Sequence, residues 1–203
     1  MTETIVKEAK KIAERIIKYE TRKYLGKVYI LWSTYPLIIT LFYSIIVDYF
    51  PSLYNDKFFT FSFQALLIGL YFVIIYMLIR KLVITTLRYN GIYGKGSKKR
   101  SRIVTPLLWS LIILVTLVMF LGYYTSDILL AVSGSSIYTV FVIYSFYDSL
   151  RIVGIKYYDV LALASFAIGM MAIPFGIYLP FYIMSVFWIY AGYKSLVEVI
   201  EDE

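Results

Sequence analysis

An all-α integral membrane fold, with six transmembrane helices preceded by an N-terminal amphipathic helix, is predicted by three observations. First, 61% of the 203 residues are hydrophobic and only 16% are charged, giving a mean hydropathy of +0.75. A soluble domain of this length has too little interior to hide so much apolar surface, whereas a lipid-facing exterior removes the conflict. Second, the apolar residues gather into six segments, each near the roughly 20 residues that a bilayer core requires. Third, the net charge of +7 is distributed on one side of those segments rather than scattered among them. The bilayer is therefore the first partner the sequence implies.

The chain opens with a basic leader, residues 1–27. Ile5, Ala9, Ile12, Ala13, Ile16 and Ile17 recur at helical spacing, with Lys7, Lys10, Lys11, Glu14, Arg15 and Lys18 largely on the other face. Glu3–Lys7 and Glu14–Lys18 are favourable i, i+4 pairs, and Thr2 or Thr4 can cap the start. Such a helix is expected to lie along an inner leaflet and bind anionic headgroups, with docking against a soluble partner as the sharper alternative. No cleavable signal is expected, because the charged leader is long and Asp48-Tyr-Phe-Pro51 stands where small residues should follow the first apolar block.

The transmembrane domain is read as residues 28–197, with spans at about 28–47, 58–79, 103–123, 128–147, 160–178 and 180–196. Residues 198–203 form an acidic tail. Between spans two and three lies a loop, 80–102, containing the polar, glycine-containing run Leu87–Arg102. Nineteen of the twenty basic residues fall in the leader, in this loop and its edges, or at the ends of spans four to six on the same side. Lys57 alone lies opposite. Retention of cations on the inner face then predicts a multi-pass protein of the cell membrane with both termini cytoplasmic. Tyrosines frame the spans as interfacial anchors, with Tyr49, Tyr54, Tyr123, Tyr124 and Tyr178 outside and Tyr24, Tyr89, Tyr147, Tyr157, Tyr158 and Tyr193 inside.

A repeat is suggested by Val140–Leu150 and Val186–Leu196, which share Val, Phe, Ile, Tyr, Tyr, Ser and Leu at an offset of 46 residues. Three parallel in–out–in hairpins would produce such a match. In a chain so rich in Ile, Phe and Tyr, chance would produce it as well, and both readings stand.

The composition excludes much chemistry. With no cysteine and no histidine, the chain cannot form disulfides, thiolate nucleophiles, Cys/His metal sites or imidazole acid–base pairs. Asp48, Arg80, Asp127, Asp148 and Asp159 sit at span ends, where snorkelling or headgroup contact satisfies them, and no charge lies deep in a span. Asp148 and Arg151 are spaced for an i, i+3 pair that would steady a helix end. Tyr93–Lys98 lacks the spacing of a phosphate loop, and the basic loop has too few neighbouring elements to build a nucleic-acid reading surface. No catalytic residue, metal, cofactor or nucleic-acid partner is expected.

Neutral polarity remains. Gln64, Ser133, Ser135, Ser136 and Thr139 are candidates for lining a cavity in the outer half of the membrane, although such hydroxyls also satisfy preceding carbonyls or hold helices together. Lys95, Lys98, Lys99, Arg100 and Arg102 are candidates for contact with anionic lipid headgroups or a cytoplasmic or membrane protein partner. Ala162, Ser165, Gly169, Ala172 and Gly176, at steps of 3, 4, 3 and 4, form a helix-packing seam, expected to face another span of the chain or, less readily, a second copy in a homo-oligomer. Pro36 and Pro174 predict kinks. The reading adopted from the residues is a non-catalytic scaffold or accessory subunit of a membrane complex. The alternative is a small-solute transporter or permease subunit with a neutral polar cavity.

Overall fold

The computed structural model describes residues 2–93 and 98–201, with side-chain surroundings outside the described set at 2–3, 54, 57, 61, 98–109 and 120. The described elements are helical throughout: α1 (Thr2–Tyr49), α2 (Pro51–Asn55), α3 (Lys57–Ile92), α4 (Lys98–Thr125), α5 (Ile128–Val153), α6 (Tyr157–Ala172), a 3-10 turn (Ile173–Phe175) and α7 (Leu179–Glu201). Five of them contain an apolar stretch long enough to cross a membrane, and in α4 the described apolar part is the shorter Ser110–Thr125. An all-α membrane fold thus holds at the level of architecture.

Two differences from the sequence expectation concern where helices stop. The leader is not a separate element lying along a surface, because it is continuous with the first apolar block in the 48 residues of α1. Nothing in Lys18–Lys27 breaks a helix, and the Glu14–Lys18 pair (2.8 Å) supports it. Much of the expected 80–102 loop is also helix. α3 runs on to Ile92 and α4 begins at Lys98, since Arg80–Asn90 contains neither proline nor glycine. At 1.5 Å per residue, α1 is about 72 Å long and α3 about 54 Å, against a hydrocarbon core of about 30 Å. Both must project beyond it.

α1 is the central element, packed on α3, α5 and α7, while α4 leans on α5 and α6 fills the space between α5 and α7. The core is aromatic. Tyr29 stacks on Phe146 at 5.7 Å and meets Trp188 edge-on at 5.4 Å. Phe166 lies 5.5 Å from Trp188, whose indole Nε1 donates to the Ala162 carbonyl at 2.6 Å.

Small residues set the closest crossings. A Cβ at Gly192 of α7 would lie 2.6 Å from Ile30 Cγ1 and 3.0 Å from the Gly26 carbonyl of α1. One at Gly122 of α4 would lie 2.5 Å from the backbone nitrogen of Ala131, so the α4–α5 hairpin closes only with glycine there. Asp127 caps α5 through Leu130 N (3.1 Å), and Asp56 caps α3 through Phe58 N (2.9 Å).

Pro174 does not kink a span. α6 ends at Ala172, the 3-10 turn follows, and Gly176 at φ 72° reverses the chain toward α7. Pro36 stays inside α1, and the hydroxyl of Thr40 donates to its carbonyl at 2.8 Å. The matched segments of α5 and α7 present the same faces. Val142 and Trp188, Phe146 and Gly192, and Ser149 and Ser195 are buried, while Tyr144 and Tyr190, and Tyr147 and Tyr193, are exposed. Both helices lean on α1, which demands that pattern with or without a duplication.

Candidate functional site at the basic end

Three of the candidate polar residues bond within their own helix. Ser133 is exposed and donates to the Leu130 carbonyl at 3.0 Å, Ser136 donates to Val132 at 2.7 Å, and Thr139 donates to Ser135 at 2.7 Å. Only Ser135 is fully buried, 3.4 Å from the Tyr123 hydroxyl. Gln64 is half-buried on α3. Most of these hydroxyls therefore satisfy carbonyls of their own helix.

The seam residues Ala162, Ser165 and Gly169 are buried, and a Cβ at Gly169 would lie 3.3 Å from Phe181 Cα of α7. Ala172 is half-buried at the helix end and Gly176 is exposed in the following turn. Of the expected basic contacts, Lys95 lies outside the described residues. Lys98, Lys99, Arg100 and Arg102 lie on the first turns of α4, with side chains outside the described set. No Asp148–Arg151 ion pair forms among the described residues.

What the basic end does bring together is a cluster that sequence reasoning missed. Arg22 of α1 is 3% exposed and Asp159 of α6 is 0% exposed. Arg22 Nη1 donates to Asp159 Oδ2 at 2.8 Å and Oδ1 at 3.1 Å, while Nη2 donates to the Gly154 carbonyl at 2.9 Å. Asp159 also accepts from the Tyr29 hydroxyl at 3.0 Å and from the Lys156 backbone N–H at 2.9 Å. Each carboxylate oxygen thus accepts two hydrogen bonds, and the carboxylate sits in the first turn of α6, where the helix dipole favours negative charge.

A second carboxylate extends the cluster. Glu198 of α7 lies 3.5 Å from Arg22 Nε and 3.4 Å from Lys156 Nζ, and accepts from the Tyr158 hydroxyl. Asp159 is therefore not a span-end residue resting in headgroups. It is the bolt that ties α1 to α6, and Glu198 adds α7. Charges removed from water repay desolvation only with such saturated geometry. The signal in the sequence was the face of α1 on which Arg22 lies, shared with Leu25, Gly26 and Tyr29.

Beyond this cluster α1 and α3 continue as a two-helix stalk. Arg88 of α3 meets Glu20 at 3.2 Å, the Tyr93 hydroxyl donates to Glu14, and Lys10 Nζ lies 4.5 Å above the Tyr93 ring. Hydrogen bonds from Lys18 and then Tyr93 hold the Glu14 carboxyl below its ordinary 4.5. The Glu14 bond in turn pushes Tyr93 from 10.0 up to about 12.

The signs fix a pH window. Glu14, depressed in the fold, contributes stability that is fully present above 4.5 and lost as pH falls through its lowered value. Tyr93, raised, contributes stability that is fully present below 10.0 and lost as pH rises through about 12. Spin labels on Lys11→Cys and Asn90→Cys should accordingly show a narrow inter-helix distance distribution at neutral pH that broadens below pH 4.5. An unchanged width at acid pH would show that this contact does not brace the stalk.

A groove of about 210 Å³ lies between α3 and α5 at the same end, its polar side formed by Thr86, Asn90, Ser145, Asp148 and Ser149. It is in the half opposite the expected cavity. Among the described residues no cluster of acidic side chains is grouped to hold a metal ion. The basic end therefore offers saturated ion pairs, a groove and a charged stalk. Compared with known proteins, the chain matches no family model, no curated protein and no solved structure.

Proposed function

We propose that the protein is a non-catalytic scaffold or accessory subunit of a membrane complex. In this reading it is a six-span protein of the cell membrane with both termini in the cytoplasm, its stalk engages a cytoplasmic partner, and the basic start of α4 engages anionic headgroups. The observation that carries the reading is that α1 and α3 are both longer than a bilayer core is thick and are cross-braced at one end by Arg88–Glu20 and Tyr93–Glu14. Lys7 and Lys11 remain exposed on the stalk. A basic surface raised on a rigid support recruits acidic partners by steering and by screened attraction. Small-solute transport lacks comparable support, because most of the hydroxyls proposed to line its path are bonded within their own helix.

The test is to replace Lys7, Lys11, Lys98, Lys99, Arg100 and Arg102 of the full chain by Gln and to isolate it from membranes. The expected result is loss of a co-purifying acidic protein with protease accessibility of the termini unchanged. Retention of the same companions, or their absence from the wild-type preparation, overturns the reading.

A further inference from the structure

The stalk carries an apolar stripe that is exposed among the described residues. Ile5, Ile12 and Ile16 of α1 are 62%, 61% and 54% exposed, and Ala9 between them is exposed as well. Their spacing of 4, 3 and 4 continues through Tyr19 to Lys23 and is the a/d seam of a heptad, with Ala9, Ile16 and Lys23 at a and Ile5, Ile12 and Tyr19 at d. Lipid does not reach it while α1 is straight. If the first span starts at Val28, the stripe stands about 18–35 Å above the hydrocarbon boundary, whereas headgroups extend about 5–8 Å. A row of isoleucines that far into water marks an interface.

We propose that the occupant is the same stripe of a second copy of this chain, the two leaders pairing as a short parallel coiled coil. Several observations select a copy over another helix. Two copies inserted in one membrane share an orientation, so adjacent leaders are parallel, as a symmetric a/d seam requires. In that register Arg15, at g, faces Glu20 of the copy, at the following e, so that Glu20 is shared between that Arg15 and Arg88 of its own chain. Lys7, Lys10, Lys11 and Lys18 fall at b, c and f, where they stay in water, while Lys23, at a, meets its counterpart at the membrane end of the seam and sets its limit.

The approach is also open. α3 braces the stalk through Glu14 and Lys10, at f and b, and through Arg88 to Glu20 at e, and leaves Ile5, Ile12 and Ile16 exposed. The seam's side of α1 is exposed at Lys27 and again at Leu41 and Ile45, while between them Ile30 is half-buried against Gly192 and Thr34 bonds Tyr71 of α3. Tethering both partners to one membrane supplies the high local concentration that so short a seam needs.

The chain has no cysteine, so single-cysteine cross-linking in isolated membranes reads the contact directly. With a copper–phenanthroline oxidant, Ile12→Cys is expected to convert mostly to a covalent dimer of the full chain. Lys11→Cys, one residue away on the water face, is expected to convert at least tenfold less. Replacing Ile5, Ile12 and Ile16 together by Lys should reduce the particle mass in nanodiscs to one chain. The same variant should leave recruitment by the basic residues intact, so self-association and the scaffold reading fail separately. Ile12→Cys that remains monomeric, equal cross-linking at position 11, or an adduct with a different polypeptide overturns the proposal.

Discussion

Asp159→Ala should be the most damaging single substitution in the chain, lowering stability by about 3–5 kcal/mol because it leaves a buried guanidinium without its counter-charge. For a chain of this size that corresponds to a fall in melting temperature of roughly 10 °C. Arg22 would retain only the Gly154 carbonyl and the distant Glu198, and Tyr29 and the Lys156 N–H would lose their acceptor. The double variant Arg22→Leu with Asp159→Leu should recover most of the loss, since an apolar pair of similar volume replaces a buried ion pair at little penalty. Thermal melting of the detergent-solubilised protein measures both. A single variant as stable as the wild type would mean that water reaches this cluster and shares its charge.

Trp188→Ala should come second, at about 3–5 kcal/mol, because a cavity opens at the meeting point of four helices. The indole is 0% exposed and is enclosed by Tyr29 and Trp32 of α1, Phe146 of α5 and Phe166 of α6. In a bilayer the transfer part of that figure shrinks, since lipid is as apolar as the core, and lost packing contacts dominate. Trp188→Phe isolates the remainder: it keeps most of the volume and drops the bond to Ala162, so about 1 kcal/mol is expected. Temperature-dependent loss of the monodisperse peak in size-exclusion chromatography reports the order. If Trp188→Phe proved as harmful as Trp188→Ala, the bond rather than the ring volume would hold α7 to α6.

These two sites show what could be read from residues alone. Composition and the length of the apolar runs carry the membrane fold, because a solvent preference is summed over many positions and tolerates local error. Ala162 and Gly169 announce close packing because a missing side chain limits what can be built around it. Partners distant in sequence are a different matter. Arg22 and Asp159 are 137 positions apart, and each resembles an ordinary cation or anion at the end of a span. The tyrosines were similarly ambiguous. Tyr71 and Tyr182 bond the hydroxyls of Thr34 at 2.8 Å and Thr40 at 2.9 Å between helices, a role that interfacial anchoring does not suggest.

Helix ends were misjudged where polarity was taken as a signal to stop. Arg80–Asn90 is polar at intervals but contains good helix formers, and a helix leaving lipid has no physical reason to end at the boundary when another helix accompanies it. The hydroxyl candidates were ambiguous for a different reason. Serine and threonine within an apolar helix can be satisfied one turn back, so their presence does not require a shared space.

The continuity of α1 turns it into a mechanical lever with its fulcrum at the Arg22–Asp159 bolt. From Arg22 the helix reaches about 30 Å in one direction and about 40 Å in the other. A tilt of about 5° at the fulcrum therefore displaces the water-borne tip by roughly 2–3 Å, in the sense opposite to the motion at the far membrane face. A push on the distal end of the first span would thus arrive at the tip reversed and reduced by about a quarter, to the extent that α3 and α7 tilt with α1.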